Sequence, residues 1–149
     1  MTNPATGEVV GTVVEADPAT VARALADARV WDAPAPERAA VLERAADLFE
    51  ENFGILFAIL AKEAGKTLPD AVGELREAVD FLRYYAREGE DVSRGPRGII
   101  AAISPWNFPL AIFTGQISAA LMAGNAVLCK PAEQTPLVAF KAVELLHEA

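Results

Sequence analysis

Residues 99–136 read IIAAISPWNFPLAIFTGQISAALMAGNAVLCKPAEQTP, and the fold class follows from the pattern of this segment. Ile99–Ile103 is a short, wholly apolar run, as expected of a strand that is buried on both faces. A turn with two prolines follows, then a helix candidate from Leu110 to Ala123 and a second strand candidate from Ala126 to Cys129. With a helix opening at Pro136, the order is β-α-β-α, which predicts right-handed crossovers and a parallel sheet.

The sequence before this stretch predicts a small strand pair and four helices. Valines on both sides of Gly11-Thr12 favour short extended segments, which we expect to pair. Asp17-Pro18 is typical of a helix start, because Asp17 can accept from free backbone N–H groups and proline has none to satisfy. The predicted helices extend from residue 18 to about 30, onward from 36, from 55 to 62, and from 69 to about 87.

This order predicts an α/β fold in one domain. Residues 1–97 would hold the strand pair and the helices, and residues 98–149 the first β-α-β-α of a Rossmann-like sheet. The charged side chains are dense in the first part and sparse in the second, as expected if the second part is mostly buried.

The composition excludes several classes of partner. The chain has 149 residues, 13 Lys plus Arg, 21 Asp plus Glu and a formal net charge of −8, so nucleic acid and anionic membranes are not expected to bind. Pro105, Pro109 and Gly124 interrupt the uncharged run between Arg97 and Lys130, which leaves no stretch of about 20 apolar residues to span a membrane. One cysteine and no secretory leader at the start predict a cytoplasmic protein.

Two segments would lie at the carboxyl ends of the predicted strands, where open parallel sheets bind ligands. The first, Ser104–Phe108, holds Asn107 between two aromatic rings on a backbone stiffened by Pro105 and Pro109. An amide held in this way can donate to a developing oxyanion. It can equally cap the helix that begins near Pro109, and the residues alone leave both interpretations open.

The second segment, Lys130–Gln134, offers an ammonium and a carboxylate three residues apart. Lys130 and Glu133 can together donate to and accept from a vicinal diol such as a nucleotide ribose. A solvated ion pair in a loop is the alternative interpretation. Neither strand is followed by G-x-G-x-x-G, so the usual dinucleotide fingerprint is missing.

Other side chains are interpreted as structural. Cys129 follows apolar neighbours and has no base beside it, so an inert core residue is expected rather than a nucleophile. His147 is the only histidine and lies outside any cluster of ligands, so no metal is expected. Four carboxylates of the fourth helix are predicted to form a solvated face: Asp70, Glu74, Glu77 and Asp80.

Several motifs in fixed order resemble the aldehyde dehydrogenase superfamily. They are ISPWNFPL at 103–110, AGN at 123–125 and KPAEQTP at 130–136, together with NPATGE at 3–8, which is similar to the N-terminal turn of that family. Three further runs resemble one branch, the 1-pyrroline-5-carboxylate (glutamate semialdehyde) dehydrogenase domain of bifunctional proline-utilisation flavoproteins. These runs are EAGKTL at 63–68, EAVDFLRYYA at 77–86 and FPLAIFTGQ at 108–116.

The resemblance implies an NAD-dependent oxidation of an aldehyde to an acid through a thiohemiacetal and a thioester. Asn107 would be the oxyanion donor, and Lys130 and Glu133 would contact the adenosine ribose. The residues implied at the cofactor are Ile103, Ser104, Pro105, Trp106, Lys130, Ala132 and Glu133. A carboxylate at Glu133 accepts from a 2′-hydroxyl and repels a 2′-phosphate, which favours NAD over NADP.

In the family that this sequence resembles, the nucleophilic cysteine and the glutamate base come well after the ribose-binding loop. Residues 1–149 contain no counterpart of either. We therefore interpret the sequence as the N-terminal part of such an enzyme, inactive by itself. The implied partners are a small aldehyde, further copies in a homo-oligomer and, in the bifunctional branch, a fused FAD-dependent proline dehydrogenase domain. Two alternatives stay open: a dehydrogenase of another small aldehyde, and a non-catalytic nucleotide-binding or interaction remnant.

Overall fold

The computed structural model describes residues 1–89 and 95–149. Within these ranges the chain forms six helices and two strands, which confirms the predicted α/β class. Their order is α1 (Pro18–Asp27), α2 (Ala35–Glu51), α3 (Phe53–Glu63), α4 (Leu68–Glu88), β1 (Ile99–Ile103), α5 (Ala111–Met122), β2 (Ala126–Lys130) and α6 (Pro136–Glu148). None of these helices combines the length and the apolar character needed to cross a membrane.

The strand pair predicted around Gly11-Thr12 is wrong. A single antiparallel bridge joins Thr2 to Val9, and the Asn3 N–H donates to the Glu8 carbonyl at 2.8 Å inside it. Val14, which was expected in a strand, is almost fully exposed. Valine favours extended backbone, but a strand also needs a partner for its hydrogen bonds, and residues 12–16 pair with no strand in the described ranges.

β1 and β2 form a parallel pair whose register runs from Ile99 opposite Ala126 to Ile103 opposite Lys130. The buried Asn125 side chain holds the start of this pair. Its Oδ1 accepts from the Arg97 N–H at 2.6 Å and the Gly98 N–H at 3.0 Å, and its Nδ2 donates to the Ala120 carbonyl at 3.0 Å. One amide thus ties the beginning of β1 to the end of α5.

The core lies between the helical layer of α2–α4 and the helices α5 and α6. α1 contributes no buried residue to it. The largest fully buried apolar side chains on α2–α6 are Leu42, Leu48, Phe49, Leu56, Leu60, Leu82, Phe113, Val138 and Leu145. Apolar positions at helical spacing therefore carry most of the burial, as the periodicity of the sequence predicts.

β1 is less covered than its sequence predicts. Ala102 is its one buried residue, whereas Ile99 and Ile103 are 42% and 67% exposed. Side chains alternate between the faces of a strand, so this pattern shows one packed face and one open face. The expectation of a strand buried on both faces is wrong for the described residues, since helices cover β1 on one side.

The solvated acidic face predicted for α4 is also partly wrong. Asp70, Glu77 and Asp80 are exposed as predicted, but Glu74 is buried with 2% of its surface exposed. Glu74 lies one helical turn from Ala71 and Ala78, both fully buried, so it belongs to the packed face of the helix.

Candidate functional site

The two predicted ligand loops leave the sheet side by side. Ile103 and Lys130 are partners at the last position of the ladder between β1 and β2. The Ser104 N–H then donates to the Lys130 carbonyl at 3.2 Å, and Ser104 itself is buried. Because both strands run in the same direction, the loops that follow them emerge at the same edge of the sheet.

The second loop carries an exposed ion pair. Lys130 Nζ lies 2.6 Å from Glu133 Oε1, and the hydrogen bond from Lys130 is the main cause that lowers the pKa of Glu133. The Ala132 carbonyl accepts from the Thr135 N–H at 3.1 Å, which closes the turn, and Ala132 is buried. As they lie here, the two side chains form the solvated ion pair of the alternative interpretation, with the Glu133 carboxylate ionised at neutral pH.

A groove of about 490 Å³ joins the two loops. Trp106 of the first loop and Glu133, Gln134 and Thr135 of the second loop line it together with the end of α3 and the N-terminal turn. Trp106 is exposed and Pro105 is half-buried, so the first loop presents its indole ring to the groove edge. The structure therefore brings Trp106 and Glu133, two of the predicted cofactor residues, to one concave surface.

Asn107 is exposed and does not cap α5. The cap position of that helix is Leu110, which has no side-chain capping bond, so the interpretation of Asn107 as a helix cap is wrong. The groove lining does not include Asn107 either. Its amide lies on the first loop between Trp106 and Phe108 and makes no capping bond to α5.

The cap of α5 comes instead from Glu74, a residue whose position in the sequence pattern predicts exposure to solvent. Glu74 Oε2 accepts from the Leu110 N–H at 3.2 Å and from the Ala111 N–H at 2.9 Å. Glu74 Oε1 lies 3.0 Å from Lys66 Nζ, and the same ammonium lies 4.6 Å from the centroid of the Phe108 ring. The residues that follow Asn107 are thus held by groups of the helical layer.

A second buried carboxylate acts in the same way at α6. Glu63 Oε1 accepts from the Leu137 N–H at 2.7 Å and Glu63 Oε2 from the Val138 N–H at 3.1 Å. Burial raises the pKa of Glu63, and the two backbone hydrogen bonds oppose that rise. Both Glu63 and Lys66 belong to the EAGKTL run at 63–68, which marks the resemblance to one branch of the family but does not by itself predict these contacts.

Cys129 and His147 gain no catalytic surroundings from the fold. Cys129 pairs with Ala102 in the sheet, lines an apolar cavity of about 210 Å³ and is half-buried, which raises the pKa of its thiol. A neutral thiol among apolar groups is a poor nucleophile. His147 lies in the last turn of α6, and the described part of the chain contains no cluster of side chains that could hold a metal ion.

Comparison with known proteins places this arrangement in a family. All of residues 1–149 match the model of the aldehyde dehydrogenase family. The chain is 55% identical to the bifunctional protein PutA of Klebsiella aerogenes, over 95% of the chain and 12% of that protein. It is 39% identical to the glutarate-semialdehyde dehydrogenase of Pseudomonas putida, over 100% of the chain and 35% of that enzyme.

A solved structure agrees with these matches. The 1-pyrroline-5-carboxylate dehydrogenase from Thermus with bound NAD aligns with a TM-score of 0.90 and 35% identity, over 99% of this chain and 33% of that one. The chain spans about a third or less of the length of each of these relatives. On the match of its whole length to one family model, the chain belongs to the aldehyde dehydrogenase family.

Proposed function

We propose that this chain is part of an NAD-dependent glutamate semialdehyde (1-pyrroline-5-carboxylate) dehydrogenase domain, which oxidises the semialdehyde to glutamate in proline catabolism. The observation that carries the proposal is the pairing of Ile103 with Lys130, which brings the Asn107 loop and the Lys130–Glu133 pair to one sheet edge. The PutA relative and the NAD-bound 1-pyrroline-5-carboxylate dehydrogenase support the substrate and the cofactor.

The residues at this edge fit the adenosine half of NAD. Lys130 offers donors and Glu133 offers acceptors, and both side chains are exposed beside a groove of about 490 Å³. Together they match the two hydroxyls of a ribose. Because Glu133 is ionised, a 2′-phosphate would meet its negative charge, so the carboxylate of Glu133 favours NAD over NADP. Bound NAD supplies the acceptor for the hydride.

Asn107 would donate to the oxyanion that develops on the aldehyde carbon. The loop that holds it is attached at both ends, by the Ser104 N–H to the Lys130 carbonyl and by the Leu110 N–H to Glu74. A donor whose position is set in advance stabilises the transition state without reorganising during the reaction. The exposed amide of Asn107 is therefore suited to this role.

Cys129, the one cysteine among the 149 residues, does not fit the role of the nucleophile. Burial keeps its thiol protonated in an apolar cavity. We expect no reduction of NAD when the pure 149-residue chain is mixed with glutamate semialdehyde. Measurable formation of NADH by the chain, lost in Cys129→Ser, would contradict this part of the proposal.

Binding of NAD to the chain tests the cofactor site directly. We expect isothermal titration to show NAD binding that Glu133→Gln weakens about tenfold, because a hydrogen bond to a charged group is lost. Glu144→Gln is the matched control, since it alters the similar Lys141–Glu144 pair on α6, away from the loops. Equal NAD affinity of the two variants, or an NADP affinity above that for NAD, would contradict the assignment.

A hybrid enzyme tests the reaction. The chain would replace the equivalent third of the Thermus 1-pyrroline-5-carboxylate dehydrogenase, with which it aligns over 99% of its length. We expect the hybrid to reduce NAD with glutamate semialdehyde, and Asn107→Ala to lower kcat about 100-fold while the NAD affinity stays unchanged. A folded hybrid whose kcat does not depend on Asn107 would refute its role as the oxyanion donor.

Oxidation of glutarate semialdehyde is the second candidate, favoured by the Pseudomonas putida relative. The same exchange into that enzyme distinguishes the two. If the chain is adapted to glutamate semialdehyde, the Pseudomonas hybrid should lose kcat/KM for glutarate semialdehyde relative to its parent, whereas the Thermus hybrid should keep kcat/KM for its own substrate. The reverse result would favour the second candidate.

A further inference from the structure

The helices that follow the two ligand loops have no cap of their own. Leu110 at the start of α5 and Thr135 at the start of α6 make no side-chain capping bond. α1 and α4 are capped locally, by Asp17 and Thr67, and α2 and α3, which also lack a side-chain cap, begin at the surface. The first N–H groups of a helix need acceptors, so a buried helix start without a local cap must find them elsewhere.

In both cases the acceptor is a buried glutamate from the helical layer. Glu74 accepts from two consecutive N–H groups at the start of α5, 36 and 37 positions away in the chain. Glu63 accepts from two consecutive N–H groups at the start of α6, 74 and 75 positions away. The two glutamates are 2% and 4% exposed. The same device therefore serves each of the two loops once.

Stability alone does not account for this choice. A local serine, threonine or aspartate in capping geometry would satisfy either helix start without burying a carboxylate, yet α5 has Leu110 at its cap position and Thr135 at that of α6 makes no capping bond. A local cap, however, attaches a helix only to its own loop. A carboxylate on α3 or α4 attaches the helix start to a different layer, and so sets where the preceding loop lies relative to the rest of the molecule.

We infer that Glu63 and Glu74 are positioning residues for the two ligand loops: Glu63 sets the Lys130–Glu133 loop through the start of α6, and Glu74 sets the Asn107 loop through the start of α5. This inference rests on the proposed function for the identity of the ligand. Each glutamate and the two backbone N–H groups it accepts from form a clamp between layers. Glu63 also lines the groove that Trp106 and Glu133 share, so the Glu63 clamp lies directly beside the proposed NAD site.

Hydrogen exchange on the 149-residue chain tests the two clamps separately. We expect Glu63→Gln to speed amide exchange about tenfold at Leu137, Val138 and residues 132–135 of the preceding loop, and to leave exchange at Leu110 and Ala111 unchanged. Glu74→Gln should speed exchange at Leu110 and Ala111 and leave exchange at Leu137 and Val138 unchanged. Glu77→Gln, an exposed glutamate on α4, is the control and should change neither set. Equal acceleration of both loops by both variants would overturn the inference, since a general loss of stability would produce it.

NAD affinity is the second readout. We expect Glu63→Gln to weaken NAD binding about fivefold, because the Lys130–Glu133 loop then spends less time in its binding conformation. The NAD affinity of Glu74→Gln should stay within about twofold of that of the parent. Glu63→Asp keeps the charge, but its shorter side chain does not reach the start of α6, so it should weaken NAD binding to the same extent. This variant serves as the test if Glu63→Gln does not fold. Wild-type affinity in folded Glu63→Gln or Glu63→Asp would overturn the inference.

The two proposals fail in different ways. A wild-type chain that does not bind NAD would refute the proposed cofactor site, and hydrogen exchange would then decide the clamps without any ligand. Loop-selective exchange in that case supports positioning by Glu63 and Glu74, and unselective exchange overturns it.

Discussion

Glu133 carries the charge on which NAD selection depends in the proposed site. Its pKa is lowered chiefly by the hydrogen bond from Lys130, whose Nζ lies 2.6 Å away. A carboxyl group with a lowered pKa contributes stability above its unfolded pKa and loses that contribution as the pH falls through the folded pKa. The Lys130–Glu133 pair is therefore intact at neutral pH and opens only in acid, where NAD affinity should fall with it.

We expect Lys130→Met to raise the pKa of Glu133 toward that of an ordinary glutamate, because the hydrogen bond and the positive charge are both removed. Carbon-13 NMR titration of the Glu133 carboxyl measures the change. Lys141→Met removes the lysine of the pair on α6 and should leave the Glu133 titration as it is. If Lys130→Met does not move the Glu133 midpoint, the pairing does not control this charge.

At the scale of elements, the turn between α5 and β2 depends on Gly124. Its φ is +81°, a region that glycine alone adopts without strain, and a Cβ there would lie 3.3 Å from the Trp31 carbonyl oxygen. The Gly124 N–H donates to the Leu121 carbonyl at 2.8 Å, and the Asn125 N–H donates to the Ala120 carbonyl at 3.1 Å. These bonds satisfy the last carbonyls of α5 and direct the chain into β2.

Gly124→Ala should lower the free energy of unfolding by about 1–2 kcal/mol, the cost of a left-handed conformation with a side chain. Gly73→Ala is the control, because Gly73 lies on the exposed face of α4, where its Cβ would meet no atom within 4 Å. That variant should raise the free energy of unfolding by up to about 1 kcal/mol through helix propensity. Urea unfolding measures both, and two changes of the same sign would contradict the role given to Gly124.

At the scale of the whole molecule, the sheet has an open face and open edges. Ile99 and Ile103 are 42% and 67% exposed, and β1 and β2 pair with no further strand in residues 1–89 and 95–149. Exposed apolar strands with unpaired N–H and C=O groups favour association with other chains.

We expect the 149-residue chain to self-associate as its concentration rises, which analytical ultracentrifugation measures. The double variant Ile99→Thr with Ile103→Thr should shift the equilibrium toward monomer, because it removes apolar surface from the open face. Val14→Thr changes an even more exposed valine away from the sheet and should have no effect. A wild-type chain that stays monomeric and melts cooperatively would argue against association through the sheet.

Local patterns predict the elements of the second half of the chain well. β1 covers the predicted Ile99–Ile103, and α5 lies inside the predicted span from Leu110 to Ala123. Proline, glycine and runs of apolar residues act on the backbone of their own neighbours, so their effect can be read along the chain. The same patterns predicted the two loops at the carboxyl ends of the strands, and the register of Ile103 with Lys130 brings those loops together.

The order of strands and helices in residues 98–149, and the two loops that follow the strands, could thus be read from the sequence, because these features depend on neighbouring residues. Packing of the layers was needed to show that Glu63 and Glu74 are buried caps, that Asn107 does not cap α5 and that Val13 and Val14 have no strand partner in the described ranges. Each of these outcomes depends on hydrogen-bonding groups that are distant along the chain and meet only when the layers pack.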